Sequence, residues 1–203
     1  MVTIAFLTSR GGKSDEDDCK KSERIMFYVH NTLQLKLKLS VKFMNSIKWW
    51  IDALYRVRQD VKSHTDGSLS LGRGVLFSKS TKQKLNSKSS TEAELATSSE
   101  VLPQILWTRY SLEDQEVDVR ESVLYQDNTN AIQLERNGKA SGGQRTTHIN
   151  IIYFFIKDRV ESGEVIIIYC PTEDMIADFF IKPLQGIKFI RFRKSIKIVI
   201  VNQ

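Results

Sequence analysis

The chain has 203 residues, 41% of them hydrophobic and 27% charged, and a net charge of +6, the composition of a globular protein with one buried core and room for a flanking fragment. It has no apolar run of about 18 residues and no basic start before its short N-terminal apolar segment, so we expect neither a membrane span nor a signal peptide and predict an intracellular protein. Cys19 and Cys170 stand far apart, which argues against a zinc site or a disulfide framework.

The first part of the chain predicts one helix followed by strands. Ser14 precedes four acids and then three bases, the charge order that suits a helix dipole, so we expect a helix over 15–30 capped by Ser14. Leucines alternate with polar residues over 33–39, as in a half-buried strand. Further strands are expected over 47–54, 69–77 and, more weakly, 82–88.

The second part alternates helices and strands. Ser90 and Thr91 are expected to cap a long helix from Glu92 to about residue 113, with a kink at Pro103. The remaining elements are expected as a strand at 123–125, helices at about 129–136 and 147–161, a strand at 164–169 and a short helix at about 173–180. This order predicts an α/β protein with a mixed sheet covered by helices.

Four acids stand at the ends of predicted elements rather than on their exposed faces: Asp52, Glu94, Asp127 and Asp178. Asp52 lies within an apolar strand, where an unpaired carboxylate is costly to bury, so it requires a cation. Carboxylate clusters suit Mg²⁺ or Mn²⁺, and two such ions about 4 Å apart can activate water and stabilise the leaving oxygen in phosphodiester cleavage. Spacing alone does not show that the four acids meet, and unrelated surface or capping acids remain the alternative.

Five short segments follow one another in a recognisable order. They are KSTKQK (79–84), SSTEAEL (89–95), YQDN (125–128), THI (147–149) and YCPTEDMIADFFIKPL (169–184). Together they resemble the successive signatures of the ribonuclease H domain in copia-type retrotransposon polyproteins. The resemblance implies an α/β fold, with a mixed five-stranded sheet flanked by helices and an N-terminal helix–strand extension.

The same resemblance implies three regions and a chemistry. Residues 1–44 would be the end of a reverse-transcriptase connecting segment, 45–185 the ribonuclease H-like domain, and 186–203 a basic tail. The implied catalytic residues and metal ligands, for two Mg²⁺ or Mn²⁺ ions, are Asp52, Glu94, Asp127 and Asp178. The implied substrate is the RNA strand of an RNA–DNA hybrid, and the implied partner is the reverse-transcriptase portion of the same polyprotein, in the cytoplasm, a virus-like particle or the nucleus and without a membrane.

Several assignments have rivals. Glu92 competes with Glu94, but two positions along a helix point about 200° apart, so only one can face the metals, and we favour Glu94. His148 is either a proton shuttle or, as we favour, a structural residue at a helix start. Gln126 and Asn128 flank a predicted ligand and either hydrogen-bond the sugar or phosphate of a nucleic acid or simply close the turn.

Two stretches of the chain carry bases and no acid, at 73–88 and 179–203. Neutralising phosphates releases counterions, so such stretches favour a polyanionic partner, although a merely solvated surface is the alternative for either one. We predict that Lys82, Lys84 and Lys88 contact the nucleic acid.

The chain also departs from the pattern that it resembles, with Arg56, Asp66, Asn150 and Ile181 at positions where relatives carry other residues. None of these changes removes a predicted ligand, but together they indicate drift. A catalytically inactive remnant that acts as a binding or structural module is therefore the second hypothesis, and an integrase-like protein of the same fold is a weaker third.

Overall fold

The computed structural model describes residues 14–40, 45–55, 63–84, 86–137 and 147–200, together with Ile4, Leu7, Thr8 and Gly12. The helices and strands follow in chain order as α1 (Glu16–His30), β1 (Leu35–Leu37), β2 (Ser46–Leu54), β3 (His64–Ser70), β4 (Phe77–Lys82), α2 (Ser90–Glu113), β5 (Glu121–Gln126), α3 (Thr129–Asn137), α4 (Thr147–Glu161), β6 (Ile166–Tyr169), α5 (Asp178–Ile181), α6 (Gly186–Ser195) and β7 (Ile198–Ile200).

Five of these strands form one mixed sheet in the order β4-β3-β2-β5-β6. Strand β3 runs antiparallel to both β2 and β4, whereas β5 runs parallel to both β2 and β6. The predicted mixed five-stranded sheet flanked by helices is thereby confirmed, and the fold is ribonuclease H-like. The parallel pair matters most for function, because the carboxyl ends of β2 and β5 meet at one edge of the sheet.

The core lies between the sheet and helices α2 and α4. Alternation along β2 sends Ile47, Trp49 and Ile51 into it, where they pack with Leu102 and Ile105 of α2 and with Ile156 of α4. Burial of such large apolar side chains contributes roughly 1.5–3 kcal/mol each. The core thus clamps α2 against β2, which positions the first turns of α2 beside the end of that strand.

Helix α2 also approaches β3 closely at Gly67. A Cβ atom on Gly67 would lie 3.0 Å from a methyl group of Val101, so a larger residue would require the Val101 side chain to shift. Ser89 caps the helix by accepting a hydrogen bond from the backbone N–H of Glu92. The helix therefore begins two residues before the predicted start at Glu92, with Ser89 in place of Ser90 and Thr91 as its cap, and it continues through Pro103 to Glu113.

A second, two-stranded sheet joins segments that are far apart in the sequence. β1 pairs antiparallel with β7, from Leu35 opposite Ile200 to Leu37 opposite Ile198. The alternation over 33–39 therefore produces a strand of three residues, because residues 31–34 form turns after α1. No helix in the described part of the chain is long and apolar enough to span a bilayer.

Several predicted boundaries were wrong. Asp15, not Ser14, caps α1, because Asp15 and Asp18 exchange the two hydrogen bonds of a capping box. The predicted strand at 69–77 instead spans the end of β3, the start of β4 and the turn at 71–76 between them, where Gly74 adopts a φ of +87° and Leu76 donates a backbone hydrogen bond to Leu69.

Two more corrections concern the segments that follow these strands. The weak strand predicted at 82–88 belongs instead to the end of β4 and the loop before α2. The helix predicted at about 173–180 is confined to Asp178–Ile181, and residues 186–195 of the predicted tail form α6, anchored by the buried Phe192.

Candidate metal centre

Three of the predicted acids meet where β2 and β5 end. Asp52 lies near the end of β2, Asp127 directly follows β5, and Glu94 projects from the second turn of α2. One carboxylate oxygen from each residue lies within 4.8 Å of the other two. Asp52 and Glu94 are buried and Asp127 is half-buried, so the group opens to solvent on the side of Asp127.

Glu94 is held in place by the end of β2. Its Oε1 accepts a hydrogen bond of 3.1 Å from the backbone N–H of Ala53, whereas its Oε2 is buried and has no hydrogen-bond partner among the described residues. Glu92, the rival in the sequence, accepts a hydrogen bond from the backbone N–H of Lys88 and lies outside the group. The structure therefore places Glu94, and not Glu92, among the three acids.

Asp178 is connected to the triad by Lys182, which contacts both Asp178 and Asp52. Lys182 Nζ lies 2.6 Å from Asp178 Oδ1 and 3.0 Å from Asp52 Oδ2, so one ammonium group contacts both carboxylates. Lys188 approaches the other oxygen of Asp178 at 3.7 Å. Asp178 is completely buried at the start of α5 and is not one of the three acids whose oxygens converge.

A fifth carboxylate lies beside Asp52. Asp66 of β3 is directly opposite Asp52 in the antiparallel register, so the two side chains share one face of the sheet. Asp66 is completely buried, and burial together with the charge of Asp52 raises its pKa to about 8. In the sequence Asp66 stands out only as a departure from the family pattern. Had the start of β3 been predicted correctly, the pairing of β2 with β3 would have placed Asp66 near Asp52.

The three converging acids all have raised pKa values in the absence of a cation. Burial is the main cause for each, and the charge of Asp52 adds to it for Glu94 and Asp127. For Asp52 itself, burial is again the main cause and Lys182 opposes the shift. Thr172 opposes it for Asp127 by donating a hydrogen bond of 3.0 Å to its Oδ2. A positive ion among these oxygens would relieve the repulsion.

The donor atoms fit a hard divalent cation. The three acids offer only carboxylate oxygens, and Glu94 Oε2 is a buried acceptor that lacks a donor among the described residues. Oxygen-only sites suit Mg²⁺ or Mn²⁺ rather than softer ions. Asp52, Glu94 and Asp127 are thus an acidic triad that is compatible with binding a divalent metal.

The residues predicted to contact nucleic acid differ in their exposure to solvent. Lys82, Lys84 and Lys88 are exposed, and the backbone carbonyl of Lys88 accepts a hydrogen bond from Tyr55, the residue after β2. Gln126, in contrast, is completely buried, so the predicted contact between its side chain and a nucleic acid does not fit the structure.

The structure shows the hydrogen bonding of Asn128, for which the sequence offered a nucleic-acid contact or a role in closing the turn. Asn128 Oδ1 accepts a hydrogen bond of 3.1 Å from the backbone N–H of Ala131, so Asn128 closes the turn and caps the start of α3. The side chains of His148, Arg56 and Asn150 lie outside the described residues.

A further buried acid, Glu135, lies behind the triad, and no sequence motif pointed to it. Glu135 of α3 is completely buried with Ser98 of α2 and Gln126 of β5 beside it. Burial raises the pKa of Glu135 to about 8, opposed first by Ser98 and then by the charge of Arg136. The helical period would have placed Glu135 on the same face as the buried Ala131 and Ile132.

Comparisons with known proteins give a consistent picture. The chain is 30% identical over 183 residues to the retrovirus-related Pol polyprotein of transposon RE1 from Arabidopsis thaliana, a match that covers 89% of this chain and 12% of the relative. It is 28% identical over 186 residues to that of transposon RE2 from the same plant, covering 91% and 13%. A similar Pol polyprotein, from transposon TNT 1-94 of Nicotiana tabacum, is 28% identical over 63% of this chain and 10% of the relative. The chain thus spans only about an eighth of the first two relatives.

Among solved structures, the chain is similar to LC11-RNase H1, isolated from compost by a metagenomic approach, with 18% identity, a TM-score of 0.46, and coverage of 66% of this chain and 91% of that one. It is also similar to the protease-reverse transcriptase of prototype foamy virus, with 9% identity, a TM-score of 0.39, and coverage of 80% and 21%. No family model matches the chain.

Proposed function

We propose that this chain, whose homologues are retrovirus-related Pol polyproteins of transposons, is a metal-dependent endonuclease that hydrolyses the RNA strand of RNA–DNA hybrids. The observation that carries the proposal is the meeting of Asp52, Glu94 and Asp127 at the ends of two parallel strands. Three converging carboxylates offer the oxygen ligands of a divalent cation, and phosphodiester cleavage is the chemistry that such a site supports in a relative of these polyproteins.

The residues of the chain contribute mainly by position. The N–H of Ala53 fixes one oxygen of Glu94, and Thr172 fixes one oxygen of Asp127, so these carboxylates stay oriented toward the common centre. A bound Mg²⁺ or Mn²⁺ ion would lower the pKa of water and polarise a phosphate oxygen. Because Asp127 is only half-buried, a phosphodiester would enter the site from the side of Asp127.

The substrate would be held by its phosphates and its sugar. Lys82, Lys84 and Lys88 are exposed on the approach to α2, where they would neutralise phosphates of the hybrid. Contacts with 2′-hydroxyl groups across a wide, shallow minor groove would then distinguish the RNA strand from DNA. The reverse-transcriptase portion of a Pol polyprotein is the proposed partner, and the interior of the cell the proposed location.

The resemblance implies two ions and four ligands, with Asp178 as the fourth. In the structure, three acids converge and Asp178 binds Lys182. Asp52, Glu94 and Asp127 are therefore the residues that we assign to a metal, and Asp178 is assigned to the lysine beside it.

A second candidate function is binding without cleavage. The observation that favours it is Asp66, a departure from the family pattern that lies buried and directly opposite Asp52, where burial and the charge of Asp52 raise its pKa to about 8. In that case the chain would bind a hybrid through its basic surface and leave it uncut.

One assay separates the two candidates. The purified chain is incubated with a labelled RNA–DNA hybrid in Mg²⁺, in Mn²⁺ and with a chelator, beside the Asp127→Asn variant. Cleavage that requires the metal and is lost in the variant supports the nuclease. Salt-dependent binding of the hybrid with no cleavage in either metal would replace it with the binding module.

A further inference from the structure

Lys182 occupies a fixed place between two of the acids. It follows the last residue of α5 with extended backbone angles, and Pro183 comes next, which disfavours a helical conformation for Lys182. The N–H of Lys182 also donates a hydrogen bond to the carbonyl of Asp178. With its backbone held in this way, the side chain projects between Asp178 and Asp52.

The ammonium group of Lys182 lies among buried carboxylates that repel one another. Asp52, Asp66 and Asp178 crowd one side of the site, and the repulsion among them contributes to the raised pKa values of Asp52 and Asp66. Lys182 Nζ contacts both Asp52 and Asp178 at 3.0 Å or less. These carboxylates outweigh the effect of burial and raise the pKa of Lys182, so it remains charged.

Asp52 takes part in two arrangements. It belongs to the triad with Glu94 and Asp127, and its Oδ2 also contacts the ammonium group of Lys182. A carboxylate shared by two positive charges is what a two-ion nuclease site requires. Here one of those charges is already provided by a side chain of the protein.

We propose that Lys182 replaces the second metal ion, so that the chain binds a single divalent cation between Asp52, Glu94 and Asp127 while the ammonium group holds Asp52 and Asp178. This inference rests on the proposed metal-dependent function. Lys182 is a positioning residue in this account, because it acts through Asp52 on the place where the ion binds. Asp178 then serves the lysine and is not a metal ligand.

The test is the stoichiometry of Mn²⁺ binding to the whole chain, measured by electron paramagnetic resonance of free Mn²⁺ without any nucleic acid. The wild-type chain is expected to bind one ion. Lys182→Met frees Asp52 and Asp178 and is expected to bind two, whereas Lys182→Arg retains the positive charge and should bind one. Lys188→Met, which removes the neighbouring ammonium 3.7 Å from Asp178, is the matched control and should also bind one.

A second pair of variants tests the proposal even if Lys182→Met does not fold. Asp178→Asn should leave the Mn²⁺ dissociation constant within about twofold of wild type, while Asp127→Asn should raise it at least tenfold. Two ions on the wild-type chain, or equal reductions of affinity in Asp178→Asn and Asp127→Asn, would overturn the inference and leave the proposed nuclease intact. No Mn²⁺ binding by the wild-type chain would overturn both.

Discussion

Two groups of buried acids in this molecule show two ways of placing a carboxylate inside a protein. At the ends of β2 and β5, Asp52 and Asp178 lie within 3.0 Å of the ammonium group of Lys182. Behind the triad, Glu135 is equally buried, but burial raises its pKa to about 8, so at neutral pH it keeps its proton. Asp52 and Asp178 are compensated by positive charge and Glu135 by protonation, and only Asp52 of these three belongs to the proposed metal site.

The largest difference between the two groups should appear in catalysis. Asp127→Asn is expected to reduce hydrolysis of the hybrid by orders of magnitude, because an amide cannot supply the charge that holds a divalent ion. Glu135→Gln resembles the protonated acid and should retain activity within a few-fold. Initial rates in Mg²⁺ at pH 7 measure both. Equal reductions in the two variants would break the distinction between the groups.

The next effect is on stability as a function of pH. The pKa of Glu135 is about 8 in the folded chain and near its ordinary value of 4.5 when unfolded. The folded state therefore binds more protons between these values, and stability falls as the pH rises through this window, with the full decrease present above about pH 8.

Glu135→Gln removes this decrease. The variant should become more stable than wild type as the pH rises, by on the order of a few kcal/mol at pH 9, and should converge with it below pH 4.5. Urea unfolding at several pH values measures the difference. Glu100→Gln, at an exposed position on α2, is the control that should show no such trend. A parallel shift at all pH values would indicate a packing effect instead of a proton.

A smaller effect concerns the basic surface beside the metal site. Replacing Lys84 and Lys88 with alanine should weaken hybrid binding and reduce the slope of log affinity against log salt concentration by roughly two, one for each phosphate that is no longer neutralised. Fluorescence anisotropy at increasing salt measures the slope. Arg120→Ala alters an exposed base before β5, at the opposite end of that strand from Asp127, and should leave it unchanged. An unchanged slope in the double variant would show that the hybrid binds to another surface of the chain.

The smallest expected effect is a change in stability at Asn128, which lies between the triad and the helix of Glu135. Asn128 caps α3, the helix that carries Glu135, directly after the proposed ligand Asp127. Asn128→Ala should lower the free energy of unfolding by about 1 kcal/mol. Asn130→Ala, at an exposed position of the same helix, should change it less. Thermal unfolding of the two variants gives the comparison.

The sequence predicted the parts of the site that depend on local position. Asp52, Asp127 and Glu94 became candidates because each stands at the end of a predicted element, and the resemblance to the ribonuclease H domain then implied that they are ligands. The contact of Lys182 with Asp52 could not be predicted in this way. It depends on where α5 lies against β2, β3 and β4, a tertiary arrangement that no local pattern reports.

The fold was predicted well where burial alternates and poorly where buried residues are polar. β3 is buried along most of its length although its sequence is HTDGSLS, so the usual apolar alternation is absent and its start was missed. Asp66 was overlooked for the same reason. The basic residues of α6 indicated a tail, although Phe189, Phe192 and Ile196 recur at helical spacing.

The pairing of β1 with β7 has a consequence for how the chain is made. Leu35–Leu37 leave the ribosome more than 150 residues before Ile198–Ile200, the strand with which they pair. Closing so long a loop is entropically costly, so this pairing should form late, after the five-stranded sheet has brought the two segments near each other. Until then the backbone of β1 is an open edge that is available to another nascent chain.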